Sequence, residues 1–140
     1  MRDDMDLGTE AKRFNEGKAP MHLLPFWLLR DLSEHYAKGA EKYEPWNWTK
    51  GGKTDTCFGA LLRHITLWQM GEDIDIGTEE EPGTMTHHML AVAWNALTLY
   101  HGYKLKLDTD LRPTQIKDMF DALIDSIRDG TISTDKVKGN

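Results

Sequence analysis

The chain has 140 residues, a formal net charge of −6 and 39% hydrophobic residues, enough for one domain with a modest core. Its acidity opposes polyanions, which argues against duplex DNA, RNA and anionic membranes as partners, while a small anion can still bind through local cations or a metal. The single cysteine, Cys57, has no internal disulfide partner, no apolar run is long enough to span a bilayer, and the N-terminal MRDDMDLGTEAKRF has no secretory core. A cytoplasmic protein is expected.

Residues 1–24 are polar and carry an Asn15-Glu16-Gly17-Lys18 turn signal, so they read as an N-terminal arm. Pro25 opens a first helix in which Leu29, Leu32, Tyr36, Ala40 and Tyr43 recur at helical spacing until Pro45 stops it. After the basic, Gly-rich loop 49–53, Thr54 or Asp55 is expected to cap a second helix with a stripe of Phe58, Leu61, Leu62, Ile65 and Trp68, ended by Gly71. An acidic stretch follows, and Thr84 or Thr86 is expected to cap a third helix that is apolar on every side and closed by Gly102. The cleanest amphipathic pattern comes last: Ile116, Met119, Phe120, Leu123, Ile124 and Ile127 share one face of a fourth helix ended by Gly130. The domain is therefore expected over 25–130, with 131–140 as a tail. With no period-two pattern and no repeat, the fold class is all-α, a four-helix bundle with an N-terminal arm.

Glu34 and Glu41 lie seven residues apart, which turns them only about 20° from one another on the first helix. Two carboxylates on one face can hold Mg²⁺ or Mn²⁺, although with Arg30 and Lys38 they also make an ordinary salt-bridged stripe. Glu72, Asp73 and Asp75 crowd the end of the second helix, where mutual repulsion is relieved by a cation or by solvent. Glu79, Glu80 and Glu81, between Gly and Pro, read as solvated. His88 and Asn95 share a face of the apolar third helix, and His64 stands on the second; each is either a core hydrogen-bonding group or part of a site. His87-His88 lacks the aspartate that an HD-type phosphohydrolase needs next, since Met89 follows. Arg13, Lys18, Lys42, Lys50, Lys53 and Arg63 are available cations, and Trp46 and Trp48 flank the amide of Asn47 with two flat apolar faces. No P-loop, dinucleotide fingerprint, cysteine zinc spacing or Ser-His-Asp order is present.

Taken in order, Arg13-Phe14-Asn15-Glu16-Gly17-Lys18, Gly39-Ala40-Glu41-Lys42-Tyr43 with Asn47-Trp48, Ala60-Leu61-Leu62-Arg63-His64, Gly71-Glu72-Asp73 with Asp75, and His88 with Ala93-Trp94-Asn95-Ala96-Leu97 resemble the phage dATP/dGTP diphosphohydrolase family, whose MazZ-like members belong to the MazG/HisE-like all-α pyrophosphohydrolases. The resemblance spans about residues 13–100. It implies a MazG-like helical bundle that assembles as a homodimer or homotetramer, two or three Mg²⁺ or Mn²⁺ ions, and hydrolysis of dGTP or dATP to monophosphate and pyrophosphate. The superfamily's metal role transfers best to Glu34 and Glu41, then to Glu72, Asp73 and Asp75. The sequence departs from the superfamily pattern at Lys38, which stands about where a second first-helix carboxylate is expected, and Lys38 joins Glu34 and Glu41 as a candidate catalytic group. Arg13, Lys18, Lys42 and Arg63 are candidate phosphate contacts. Asn15, Trp46, Asn47 and Trp48 are candidate nucleoside contacts, and His64, His88 and Asn95 complete the candidate substrate-binding set. Two other outcomes stay open, a pyrophosphohydrolase of another or modified deoxynucleotide and a non-catalytic nucleotide-binding assembly module.

Overall fold

The computed structural model describes residues 13–131; residues 1–12 of the expected arm and 132–140 of the expected tail lie outside the described residues. These hold four α-helices and no β-strand: α1 (Phe26–Lys42), α2 (Thr54–Gln69), α3 (His88–Leu105) and α4 (Thr114–Arg128), with 3₁₀ turns at Met21–Leu23 and Asn47–Lys50. The all-α expectation holds. None of the helices is long and apolar enough to cross a membrane.

Pro25 precedes α1 with φ −77°, and its carbonyl accepts the amides of Leu28 and Leu29, so the proline shapes a helix start without needing a donor of its own. Along α1 the protected positions are Leu29, Leu32, His35, Tyr36, Gly39 and Ala40, while Glu34, Lys38 and Glu41 are exposed. Past Pro45 the chain turns sharply at Trp46, held at φ 67°.

The boundaries of α3 differ from expectation at both ends. Thr84 and Thr86 do not cap it; His87 does, its ring nitrogen accepting the Met89 amide at 3.0 Å. The two threonines belong instead to a hairpin-like loop closed by antiparallel bridges Ile74↔His87 and Gly77↔Pro82. Nor does Gly102 end the helix, which continues to Leu105 and is closed by Lys106 in the left-handed region. Gly102 supplies room: a Cβ there would lie 1.9 Å from the Asp108 carboxylate, which accepts the Gly52 amide at 3.0 Å. The segment after α3 thereby folds back and pairs with the start of α2 through Lys53↔Thr109. At the start of α2, Thr54 receives the Leu111 amide on its hydroxyl rather than capping the helix, and the N-cap is Lys53, with no side-chain cap bond.

The central helix is α3, packed against both α1 and α2. Its all-round burial is not realised within one chain. Among the described hydrophobic residues only Ala91 is fully buried, whereas Leu97, Tyr100, Tyr103 and Leu105 on α3 are exposed, as is Trp27 on α1. The groups that do reach the interior with Ala91 are polar: His35, His88 and Asn95. A buried polar centre in so small a core marks the place where chemistry is to be sought.

Candidate metal centre and adjoining cavity

Residue His64 stands a little over one turn before the end of α2, and His88 opens α3. The intervening loop returns the chain so that the His88 amide donates to the Asp73 carbonyl at 2.9 Å. The two imidazoles consequently meet, Nδ1 to Nδ1 at 2.9 Å. Asp75 completes the group: one ligand atom from each of His64, Asp75 and His88 lies within 4.8 Å of the others. The 2.9 Å contact is a hydrogen bond between the rings, and it brings both nitrogens beside the Asp75 carboxylate, where one cation can take the place of the shared proton.

The surrounding groups hold this geometry. His88 is 0% exposed, and its Nε2–H donates to Glu72 at 3.0 Å, leaving Nδ1 with its lone pair toward His64. A carboxylate behind an imidazole in this manner orients a metal-binding histidine and raises its basicity. On Asp75 one oxygen accepts both the amide and the hydroxyl of Thr84, each at 3.1 Å. That hydroxyl is 2.8 Å from Thr86 Oγ1, itself 2.8 Å from Nδ1 of His35 on α1. A chain of hydrogen bonds thus runs from the buried His35 to Asp75. Gly83 permits the close fold of the loop, because a Cβ would lie 2.1 Å from the Asp75 carbonyl oxygen.

Burial is the main cause that lowers the pKa of His64 below its ordinary 6.5; Asp75 opposes it, and His88 and Arg63 add to it. His35 is lowered too, first by burial and then by His64, again against Asp75. Both rings are therefore held toward the neutral form, which for His64 is the form that binds a cation. The sign for stability follows: a depressed histidine contributes fully above the unfolded value of 6.5, and the contribution is lost as pH falls toward the folded value, because the unfolded chain takes up the proton first. With metal removed by chelator, the urea midpoint is expected to drop from pH 7.5 to 5.5, each ring supplying up to about 1.4 kcal/mol per pH unit. A midpoint that is flat over that range, or equally steep in a His35→Gln/His64→Gln variant, contradicts the assignment.

Beside the cluster lies a cavity of about 570 Å³ whose wall includes His64, Thr84 and Asn95 together with Lys38, Lys42, Trp46, Asn47 and Trp48. Its size is that of a small-molecule site. Trp48 is fixed edge-on between Tyr36 and His101, with ring centroids 5.7 and 5.0 Å away, and Trp46 is tilted 37° to it at 6.3 Å. Asn95 is tied to α3 by its amide, which donates to the Ala91 carbonyl at 2.8 Å, while its side-chain oxygen accepts the Cys57 thiol at 3.2 Å. Burial and the nearby Asp108 push that thiol up to about 11, so Cys57 stays protonated and serves as a donor.

The residues singled out in the sequence divide accordingly. His64, Glu72, Asp75 and His88 come together, and Lys38, Lys42, Trp46, Asn47, Trp48 and Asn95 line the neighbouring cavity. Asp73 lies beside them, exposed, 3.8 Å from His87. Glu34 and Glu41 are exposed on α1 outside the cluster, the Glu41 side chain 73% exposed and 3.9 Å from Lys38. Arg13, Asn15, Lys18 and Arg63 are exposed and line neither cluster nor cavity. His35, Thr84 and Thr86 were not foreseen in this role. The one available signal was helical register, which sets His35 with Leu32 and Gly39 on the protected side of α1.

Comparison with curated proteins and with solved structures finds no match. A family model described as dATP/dGTP diphosphohydrolase, N-terminal, matches residues 9–112, a span that contains the whole cluster and cavity and stops before α4. The chain belongs to the dATP/dGTP diphosphohydrolase N-terminal domain family.

Proposed function

We propose that this protein hydrolyses purine deoxynucleoside triphosphates, dGTP foremost, to the monophosphate and pyrophosphate, using a divalent cation held by His64, Asp75 and His88. The observation that carries this reading is the single cavity that joins tryptophan faces and lysines to an imidazole of the cation-binding cluster, in a chain of this family. Trp46 and Trp48 offer stacking faces broad enough for a bicyclic base, and Asn47 an amide for its edge. Lys38 and Lys42 neutralise phosphate oxygens between base and cluster. The strained left-handed backbone at Trp46, a large residue left 71% exposed at the cavity, fits a side chain held out for a ligand.

Two imidazoles and a carboxylate favour Mn²⁺ over Mg²⁺, which prefers oxygen donors. When bound, the cation supplies Lewis acidity, activating a water and neutralising charge on the triphosphate. Glu72 keeps His88 in the tautomer with its Nε2 protonated, and the His35–Thr86–Thr84 chain keeps one Asp75 oxygen occupied, so that the other would be available to hold the cation. Glu34 and Glu41 form a second proposed cation contact, which would raise the count to two; an unaltered Mn²⁺ titration in Glu41→Gln would remove it. A cytoplasmic setting, a MazG-like bundle, a phage source and self-association rest on the sequence reading.

A thermal-shift titration tests the site directly. Mn²⁺ should raise the melting temperature and dGTP should raise it further only with Mn²⁺ present. Stabilisation by nucleotide that is indifferent to metal supports the alternative, a non-catalytic binding module.

A further inference from the structure

His35 carries a ring nitrogen that the contacts described so far do not use. The residue is 7% exposed and sits edge-on to Trp94, with ring centroids 6.3 Å apart. Its Nδ1 is engaged by Thr86, but Nε2 has no hydrogen-bond partner among the described residues. Nor is Nε2 sealed in protein, because among the described residues no side-chain nitrogen or oxygen is both enclosed and unpartnered. His35 lines the same cavity as His64 and Lys38, so Nε2 opens on the space where the nucleotide is proposed to lie.

The hydrogen bonds behind the ring fix which nitrogen carries the proton. A carboxylate only accepts, so the Thr84 hydroxyl spends its one hydrogen on Asp75 Oδ2 at 3.1 Å. Thr84 Oγ1 must then accept from the Thr86 hydroxyl 2.8 Å away, which spends the Thr86 hydrogen. Thr86 Oγ1 is left to accept in its turn, and the donor 2.8 Å from it is Nδ1–H of His35. A neutral imidazole protonated at Nδ1 has its lone pair at Nε2, and burial keeps this ring toward the neutral form. The cavity is thus offered a basic nitrogen without a proton. Such a group attracts water and repels phosphate oxygen.

We infer that His35 is the general base of the reaction proposed above, on which this inference rests: Nε2 takes a proton from the attacking water. Water is favoured over a donor on the base or sugar because only two hydroxyls separate the ring from Asp75, the carboxylate proposed to hold the cation beside the triphosphate. In the step, the water oxygen bonds to phosphorus at the α,β bridge. The bond from that phosphorus to the bridging oxygen breaks, its electron pair stays on that oxygen, and one water proton moves to Nε2. The imidazolium keeps its Nδ1–H on the threonine chain that ends at Asp75, which orients the ring and opposes its new charge. The proton passes to solvent once the products leave.

His35→Asn separates this role from a structural one, since its amide nitrogen takes the place of Nδ1 and can still donate to Thr86, while Nε2 is lost. With dGTP and Mn²⁺, kcat is expected to fall about 10²- to 10⁴-fold, with KM, the Mn²⁺ titration and the helical circular dichroism unchanged. A folded variant that keeps most of its turnover overturns the assignment. A loss confined to KM or to Mn²⁺ affinity overturns it too, and makes His35 a holder of the nucleotide or of the loop. Wild-type protein that releases no pyrophosphate from dGTP overturns the proposed reaction and the base together, whereas active wild type with equally active His35→Asn overturns the base alone. A second measurement depends on neither turnover nor the folding of a variant. Two-bond ¹H–¹⁵N correlation of the wild-type imidazoles, in chelator at pH 7.5, is expected to show His35 protonated at Nδ1 and unprotonated at Nε2. The opposite tautomer, with Nε2–H turned to the cavity, would overturn the assignment whatever the reaction.

Discussion

Asp75→Asn is expected to abolish turnover, by at least about 10³-fold, while leaving the helical circular dichroism spectrum unchanged. The substitution keeps the shape of the side chain. The amide oxygen still accepts the Thr84 amide and hydroxyl that now hold Asp75 Oδ2, so the loop keeps its hydrogen bonds. What changes is the other oxygen, which becomes an amide NH₂ that repels a cation. His88→Ala should be as inactive, but it also opens a hole at a fully buried position, so lost stability has to be separated from lost chemistry. Glu72→Gln removes only the charge behind the His88 ring and should cost about 10- to 100-fold, offset in part by added Mn²⁺. A folded Asp75→Asn protein that retains more than a tenth of wild-type activity would remove Asp75 from the metal centre.

Trp46→Ala is expected to raise the KM for dGTP by about 5- to 150-fold with kcat nearly unchanged, the effect of losing about 1–3 kcal/mol of base stacking. Stability should hardly fall. The side chain is mostly exposed, and alanine bears the left-handed backbone no worse than tryptophan does. Trp48→Ala makes an informative contrast, because that ring packs against Tyr36 and His101 and its removal should lower both affinity and melting temperature. If Trp46 supports purine preference, the ratio of dGTP to dTTP turnover narrows in the variant. An unchanged KM for dGTP would remove Trp46 from the base site.

The helices were legible from spacing because each local apolar stripe points to one face, and all four lie where that pattern sets them. Helix ends were less so. Gly102 has the composition of a stop signal, yet its lack of a Cβ serves the approach of Asp108, a contact that no local pattern announces. Thr84 and Thr86 look like caps but serve a hairpin and a hydrogen-bond chain to Asp75. For the site, the acidic residues after α2 and the histidines of α2 and α3 were visible as separate candidates. Their union was not, because it depends on an 18-residue connection folding back to bring His64 and His88 together. Glu34 and Glu41 illustrate the converse limit: a seven-residue interval establishes that two side chains share a face, but which face meets the neighbouring helix depends on the packing of α1 against α3, and there His35 faces inward.

The most direct measurement is to incubate the full-length protein with dGTP and Mn²⁺ and identify the first products by chromatography, with a parallel reaction in chelator. The expected result is dGMP and intact pyrophosphate in equal amounts with Mn²⁺ and none in chelator. Initial release of dGDP and orthophosphate, or turnover that persists after the metal is removed, would contradict the account.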